Sequence, residues 1–543
     1  MQTSLNTSTS TGISAHYSQF LDAGQLGFKW CEQCLKPHFY PRVHCPHCGN
    51  RETVWRVSSG KGRIYSFTIA DRIAPAIIEM EEGFRLTSII VEADVNALAI
   101  GDEVVVHCSK EPSGEAILSF TTPAANCARE YSQKALAQIQ ASIPSADDGA
   151  FPLNCVAIIG SGRMGRGIAM ALINAGISVM LYDQTQEALD AAHKAINDEL
   201  QKLVDKARIS QDEAQKRSAR IRATLDISDI SAADAVIEAV WEQMELKKSI
   251  FAQIDQYAPP HAILCSNTST LDIDQIASVT RCPERVLGLH FFNPAHVMRL
   301  IEVIKGPRTS THAINLAKVL SNRLGKIPVV VGICKGFVGN RLMMARERQA
   351  GQLLLEGALP QQIDRVLRAF GLPMGTFELQ DMAGGIAVNY MRRQESGEKD
   401  PIIDRLYETG RTGKQAGKGY YDYVPGKRAP VPSQEVKNML EAASVQAQIL
   451  RRVIGDEELI QRLVFPMVNE GFKLQEEGIV ERESDIDMVW QYGYGWPSWK
   501  GGPMYFARQQ GYAKIYHKLV EFEQRYGESF RPARLLKELA LNQ

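Results

Sequence analysis

No run of about 18 uninterrupted apolar residues, the length a helix needs to cross a bilayer, occurs in the 543-residue chain, so no membrane-spanning helix is expected. The opening MQTSLNTSTSTG has neither a basic n-region nor an apolar h-region, which argues against a secretory leader and for a cytoplasmic protein. An excess of charge is missing as well. With 61 Lys+Arg against 62 Asp+Glu the net charge is −1, which removes the global electrostatic case for a nucleic-acid or anionic-membrane binder. The ten cysteines show no regular disulfide framework: two CxxC pairs lie close together and six thiols are scattered, a usage that suits a reducing compartment. What is present is ordinary globular material, 45% hydrophobic and 23% charged, which excludes disorder, collagen-like repeats and coiled coil. At roughly 100 to 200 residues per domain the chain holds about three or four units.

The organisation changes along the chain. A Ser/Thr-rich start is followed by a short amphipathic stretch and the CxxC pairs; four β-rich runs, RIYSFTIAD, FRLTSIIVEAD, DEVVVHCS and EAILSFTT, then read as a small all-β barrel. The stretch SIPSADDGAFP has the composition of a linker. After it CVAIIG, VMLYD, AVIEAV, AILCSN and VLGLHFF alternate with helical segments, which predicts a parallel sheet covered on both faces. From about Gly336 the pattern is helical and repeats itself: EGALPQQIDRVLRAFGLPMGTFEL from Glu356 is echoed by EGIVERESDIDMVWQYGYGWPSWKGGPMYFA from Glu477.

Three constellations carry chemistry. Cys31, Cys34, Cys45 and Cys48 supply four soft thiolates at a spacing that closes a tetrahedral shell, a structural zinc site with no open position for water; four reduced surface thiols or a redox pair are the bland alternatives. In CVAIIGSGRMGRG, Gly160 permits a tight turn, Gly162 lets backbone approach a pyrophosphate, and Gly165 allows a helix to pack closely on the sheet. Asp183, ending VMLYD, stands where a carboxylate accepts from ribose hydroxyls, which favours NAD over NADP. Farther on, Ser266-Asn267-Thr268-Ser269-Thr270 precedes GLHFFNPAHVMRLIEVI. There His290 is placed to act as a general base and Glu302 to orient its ring; a buried structural His is the alternative, and His296 a decoy.

Two resemblances follow from these residues. The cysteine hairpin with GKGRIYSFT resembles the zinc-ribbon plus OB-fold proteins that accompany thiolases, aldolases and hydratases acting on acyl-CoA. Nucleic acid, the other ligand of such folds, is disfavoured, since residues 1–120 carry 10 Lys+Arg and 13 Asp+Glu with no basic stripe. The Gly160 fingerprint, Asp183, Glu242 in VIEAVWEQMELKK, SNTST, GLHFFNP, Glu302 and GFVGNR with Asn340 resemble the NAD-dependent L-3-hydroxyacyl-CoA dehydrogenases. The duplicated region with FGLPMG, GKGYYDY and YGYGWPSWKGGP looks most like the dehydrogenase half of the multifunctional β-oxidation enzymes; the hydratase half is absent.

The resemblance implies an eight-part layout: tail and helix 1–28, zinc ribbon 29–52, OB-fold 53–124, linker 125–152, Rossmann NAD-binding domain 153–334, first helical domain 335–425, linker 426–454 and second helical repeat 455–543. It implies oxidation of a (3S)-3-hydroxyacyl-CoA to the 3-oxoacyl-CoA, with His290 and Glu302 catalytic and Ser269 and Asn340 bonding substrate oxygens. NAD would be held by Gly160, Gly162, Met164, Gly165, Asp183, Gln184, Glu242, Lys247 and Asn267. Two departures stand out: Lys414-Gln415-Ala416-Gly417 replaces the usual KTGxG, which shifts a cofactor contact to Lys414 or removes it, and Thr376 with AGGIAVNY replaces the second Pro of PMGPFEL and the AGLD after it, which leaves acyl specificity open. The competing readings are a scaffold that docks a thiolase, aldolase or hydratase through its N-terminal part, and a β-hydroxyacid dehydrogenase of another substrate class. The second would be expected to lack SNTS and HFFNP.

Overall fold

In the computed structural model, residues 13–110, 114–145, 153–396, 399–427 and 429–542 are described. The far end of the Ser/Thr-rich tail and most of the Ser/Asp/Gly-rich linker lie outside them. Two compact units divide the chain: Met1–Gln133 with Pro497–Gly501, and Lys134–Trp496 with Gly502–Gln543.

In the first unit α1 (Ile13–Asp22) precedes a three-stranded antiparallel sheet of β1 (Gly27–Cys31), β2 (Lys36–His38) and β3 (Thr53–Val57), in the order β2-β1-β3. Its other strands, β4 (Lys61–Phe67), β5 (Ala74–Met80), β6 (Arg85–Ile90), β7 (Glu103–Lys110) and β8 (Ala116–Thr121), close a barrel in the order β4-β5-β6-β8-β7. Strict alternation builds it: Gly62 and Ile64 of β4 and Ala74, Ala76, Ile78 and Met80 of β5 point inward, as period 2 requires. Two boundaries differ from the sequence reading. Residues 53–57 pair with β1 and belong to the cysteine-bearing sheet, and β5 is a fifth strand absent from the four runs, because its APAIIEM opens on Ala-Pro and reads as a turn.

The second unit takes up α2 (Pro123–Ala141), in which the boundary at Gln133 falls, so helix occupies much of the expected linker 125–152. Its sheet has eight strands, β9 (Cys155–Ile159), β10 (Ser178–Tyr182), β11 (Ile221–Thr224), β12 (Ala235–Glu238), β13 (Ile263–Ser266), β14 (Val286–Phe291), β15 (Leu300–Lys305) and β16 (Ile327–Gly332), in the order β11-β10-β9-β12-β13-β14-β15-β16. Strands β12 to β14 are buried at every position, as strands covered on both faces must be. The covering helices are α3 (Arg163–Asn174), α4 (Gln186–Asp205), α5 (Gln211–Ser218), α6 (Met244–Tyr257), α7 (Ile273–Ala277) and α8 (Thr311–Arg323). The sheet is not wholly parallel: β14 and β15 pair antiparallel, because residues 292–299 between them are too few for a crossover helix. That reversal sets His290 directly opposite Glu302.

The helical region opens with α9 (Phe337–Glu356), α10 (Pro360–Phe370), α11 (Thr376–Ala383), α12 (Gly385–Ser396) and α13 (Pro401–Glu408). After α14 (Gln434–Gln446), which occupies part of the expected linker 426–454, come α15 (Asp456–Glu476), α16 (Glu483–Tyr494), α17 (Pro503–Gln510), α18 (Tyr512–Tyr526) and α19 (Arg534–Leu541). Helices α9, α10, α11 and α15, α16, α17 repeat one design. Asp364 of α10 accepts from the backbone N–H of Phe377 and Glu378 at the start of α11, at 3.0 and 2.9 Å. Asp487 of α16 does the same for Met504 and Tyr505 of α17, at 2.7 and 3.1 Å.

The two long helices run antiparallel and exchange equivalent bonds. Arg341 of α9 meets Glu470 and Glu477 of α15, while Arg462 of α15 meets Gln349 and Glu356 of α9, and the two sets of residues share one spacing. Such reciprocity is that of a twofold interface folded into one chain.

Candidate active site

The centre of the site is a buried dyad. His290 ends a fully buried strand, and its Nδ1 lies 2.7 Å from Oε2 of Glu302, whose side chain is 0% exposed. The other carboxylate oxygen accepts from the N–H groups of Val338 and Gly339, at 3.2 and 3.0 Å. These are amides of the first turn of α9, so the positive end of a 20-residue helix stabilises the carboxylate. Glu302 can only accept; the imidazole must therefore donate from Nδ1 and present Nε2 as the basic nitrogen. Phe292 and Phe337 flank the ring at centroid distances of 4.6 and 5.8 Å and keep it dry. His296 shares none of this. It is half-buried with Nδ1 unpartnered, and its pKa is lowered, by burial first, with the Glu199 charge opposing that shift.

Loops at the ends of β9 and β10 form a tight glycine turn. Gly160 has φ +102° and sits where a Cβ would lie 2.9 Å from the carbonyl oxygen of Ala239. At Gly165 a Cβ would come within 1.8 Å of the carbonyl oxygen of Gly160, so glycine is what lets α3 start so close to the sheet. Around Gly162, by contrast, a Cβ meets nothing within 4 Å; that open side faces away from the packed turn. Met164 stands in the first turn of α3, partly buried against the core. Asp183 closes the cradle: its Oδ2 accepts from the N–H and hydroxyl of Ser161 at 2.7 and 2.6 Å, and its Oδ1 from the N–H of Gln184 at 2.8 Å. This fits a dinucleotide.

Between cradle and dyad lies a polar layer organised by Glu242. Its Oε1 accepts from Thr268 Oγ1 at 2.7 Å, from the N–H groups of Ser269 and Thr270 at 2.9 and 3.1 Å, and from Ser269 Oγ at 3.3 Å. Burial pushes the Glu242 carboxyl up, but Lys247 and these donors outweigh it and hold its pKa below the ordinary value. Lys247 is 1% exposed and reaches Glu238 Oε1 at 2.6 Å and Glu242 Oε2 at 3.5 Å. The sequence reading puts its ammonium against the cofactor; the structure turns it inward as a support for two carboxylates. Glu238, which also accepts from Ser266 Oγ at 2.6 Å, went unnoticed in the sequence, although a charge ending the apolar run AVIE is a visible signal. Asn267 spends its Oδ1 on the N–H of Phe291 at 2.9 Å, tying this loop to the strand of His290.

Asn340 follows directly on the two amides that bind Glu302. Its Nδ2 donates to the carbonyl of Ser269 at 3.3 Å, and its Oδ1 accepts from the hydroxyl of Tyr494 at 2.7 Å. Tyr494 belongs to the second repeat, inside YGYGWPSWKGGP, but nothing in that motif points to Asn340, 154 positions away. By the spacing that relates the repeats, Asn340 corresponds to Gln461. Asn469, farther along α15, is 1% exposed and holds Arg531 O and the N–H of Ala533 at 2.8 and 2.7 Å, away from the dyad's partners. Of the two departures, Thr376 is buried at the start of α11, and Lys414 stands exposed in a short turn.

In the first unit, Cys31, Cys34, Cys45 and Cys48 place their sulfurs within 4.8 Å of one another, with the 31–48 and 34–45 pairs at 3.6 Å. A tetrahedral ion with bonds of about 2.3 Å to sulfur sets neighbouring sulfurs about 3.8 Å apart. Both CxxC turns are built alike. Leu35 N–H donates to Cys31 O and Gly49 N–H to Cys45 O, each at 2.9 Å, and both closing residues are left-handed, at φ 55° and 76°. The four thiols can hold a metal ion. His44 and His47 are bonded elsewhere, to Arg51 and to the carbonyl of Pro37.

Comparison with known proteins agrees with this geometry. Residues 155–334 match the 3-hydroxyacyl-CoA dehydrogenase NAD binding domain, and residues 336–423 and 459–543 match the C-terminal domain of the same family, once in each repeat. The peroxisomal bifunctional enzyme of Danio rerio is 38% identical over 408 residues, 71% of this chain and 56% of that protein. A peroxisomal fatty acid beta-oxidation multifunctional protein of Arabidopsis thaliana is 37% identical over 72% of this chain and 56% of its own. The chain thus spans about half the length of the curated relatives it matches. Among solved structures, the dehydrogenase part of multifunctional enzyme 1 from C. elegans superposes with TM-score 0.56 and 32% identity, covering 76% of this chain and 96% of that one. The 3-hydroxybutyryl-CoA dehydrogenase of Escherichia coli does so with TM-score 0.63 and 29% identity, covering 72% and 99%.

Proposed function

The chain belongs to the NAD-dependent 3-hydroxyacyl-CoA dehydrogenase family, and from that premise we propose that it oxidises a (3S)-3-hydroxyacyl-CoA to the 3-oxoacyl-CoA in a β-oxidation-type pathway. The observation that carries the proposal is the dyad: a histidine whose Nδ1 is committed to a buried, helix-capped carboxylate and whose Nε2 is left as a base.

When bound, NAD would supply the hydride acceptor for C3 of the substrate. Gly160, Gly162, Gly165 and the first turn of α3 would hold its pyrophosphate, with Met164 beside it; Asp183 and Gln184 would hold the adenosine ribose; Glu242 and Asn267 would face the nicotinamide side, with Lys247 behind Glu242. His290 Nε2 takes the proton of the 3-hydroxyl, and Glu302 stabilises the imidazolium at Nδ1. Its charge is held ready by two backbone amides, so little reorganisation is needed when the proton arrives. The second N–H of Asn340 and the hydroxyl of Ser269 orient the 3-oxygen or the thioester carbonyl. The dry ring environment made by Phe292 and Phe337 strengthens each of these interactions.

For the first unit we propose a zinc ribbon and an OB-fold, supported by the four sulfurs and the closed five-stranded barrel. The zinc would be structural, since four thiolates leave no open coordination position. A thiolase, aldolase or hydratase remains a proposed partner of this unit, and neither nucleic acid nor membrane is proposed; no helix among the described residues is long and apolar enough to cross a bilayer. The proposed location is the cytoplasm, supported by ten free thiols. The relatives' names place those proteins in peroxisomes, and cell fractionation distinguishes the two.

The functional test is NADH formation from a panel of straight, branched and ring-bearing 3-hydroxyacyl-CoA thioesters. Turnover of at least one is expected. Failure with all of them, together with oxidation of a free 3-hydroxy acid, would move the protein to another substrate class.

A further inference from the structure

We propose that Tyr494, supplied by the second helical repeat, is the positioning residue that sets the orientation of the Asn340 amide, so that the duplicated domain completes the site that the first repeat begins. The inference deepens the dehydrogenase reading and rests on it for the part that concerns turnover.

Hydrogen-bond logic fixes the amide. Its neighbour on one side is the carbonyl of Ser269, which can only accept, so the amide nitrogen faces that way, at 3.3 Å. Oδ1 therefore faces Tyr494, and the phenol must be the donor, at 2.7 Å. Burial, with Glu302 close by, raises the Tyr494 pKa well above its ordinary value, so the hydroxyl keeps its proton at physiological pH. With Oδ1 committed to the phenol and one N–H to Ser269, the second N–H of Asn340 has a single direction left to it. Without the phenol, the amide is held only by the 3.3 Å bond to Ser269 and is free to tilt about it.

The ring is held so that its hydroxyl has little freedom. It stacks on Trp490 at 4.5 Å and 20°, and meets Phe292 edge-on at 5.4 Å and 79°. Phe292 in turn lies 4.6 Å from the ring of His290, so a run of aromatic rings leads from the second repeat to the base. Two glycines make room. A Cβ on Gly339 would lie 2.3 Å from the Tyr494 ring, and one on Gly493 would lie 2.7 Å from Leu300 and 3.2 Å from Phe292. Gly339 also provides one of the amides on Glu302, so the tyrosine packs against the turn that stabilises the dyad. A phenylalanine would satisfy all of this packing; the oxygen is needed only for Asn340.

The test uses the full chain. Tyr494→Phe removes one oxygen and leaves the ring enclosed. The kcat for 3-hydroxyacyl-CoA oxidation is expected to fall about 3- to 15-fold, the worth of one oriented hydrogen bond, with the KM for NAD unchanged and the thermal midpoint within about 2 °C. In an Asn340→Ala background the same substitution is expected to do nothing further to kcat, because the group it orients is gone. A role in packing alone would lower the midpoint and cost the same factor in both backgrounds, and that result overturns the proposal. A second measurement needs no turnover. In protein carrying ¹⁵N in its asparagine side chains, the Asn340 signal, identified by its loss in Asn340→Ala, is expected to shift and exchange faster in Tyr494→Phe. If that signal responds while the unaltered chain oxidises no thioester, the dehydrogenase reading fails and the positioning stands. An unchanged signal overturns the positioning whatever the activity.

Discussion

His290 and His296 are six positions apart in one motif, both beside the nucleotide fold, and their neighbours alone separate them. Glu302 accepts from Nδ1 of His290, which leaves Nε2 for the proposed role of base; His296 has an unpartnered Nδ1. His290→Gln is expected to lower kcat by about two to four orders of magnitude with the affinity for NAD little changed, as steady-state kinetics and NADH titration will read. His296→Gln should be mild, and the reverse ranking would refute the assignment. The same reasoning applies at Asp183. Its two oxygens are anchored by Ser161 and Gln184, so the carboxylate cannot swing away from a 2′-phosphate and must repel it. The catalytic efficiency with NAD should exceed that with NADP by well over tenfold; equal efficiencies would contradict this. At the residue scale the sequence picked out side chains that the structure brings together around His290, because their types and spacings are local, but it overstated Lys247, which is buried against Glu238 and Glu242. Burial decides whether a cation meets a ligand or braces a carboxylate, and burial is not local.

At the scale of elements, α9 and α15 are linked by two equivalent arginines in unequal surroundings. Arg462 is 0% exposed and grips Glu356 with both terminal nitrogens, at 2.5 and 2.8 Å. Arg341 grips Glu477 the same way, but Glu477 is 45% exposed. Loss of Arg462 leaves the buried Glu356 only Arg452, at 3.3 Å, so the cost is some part of the about 3 to 5 kcal/mol for a fully stranded buried charge, whereas solvent takes up much of the loss at an exposed pair. Arg462→Leu should therefore lower the urea midpoint distinctly more than Arg341→Leu, and replacing Arg462 and Glu356 together by apolar residues should recover part of the loss. Equal effects would show that burial does not distinguish the two ends. The twin CxxC turns lead to a second expectation at this scale. Purified protein should hold about one zinc per chain, and Cys31→Ser or Cys45→Ser should lose it and expose the ribbon to protease, since so small a sheet has too little apolar core to stand alone. Metal analysis finding none in the unaltered protein would remove the site.

For the second unit as a whole, duplication replaces assembly. A helical face that would otherwise seek a second chain is covered by the α15 repeat, through bonds that repeat in both directions. A chain ended near Tyr423 leaves α9 bare and lacks Tyr494, so it is expected to dimerise or aggregate in light scattering and to oxidise substrate poorly at best. A well-behaved, fully active monomer would contradict both the covering role of the second repeat and its part in the site.

Local periodicity, glycine spacing and charge placement determined much of this protein: the alternating strands of the barrel, the βαβ cradle and the twin CxxC turns follow from interactions within about thirty residues, and the internal repeat from self-similarity of the chain. What lies beyond that range was decided by tertiary packing. The reversal of β15 follows from a loop too short for a crossover, and it puts Glu302 opposite His290; the fifth barrel strand declares itself only when its neighbours pair with it. Tyr494 is the extreme case. Its hydroxyl reaches Asn340 across 154 residues because two helical repeats fold face to face, and no pattern in one dimension encodes which side chains meet across such a face.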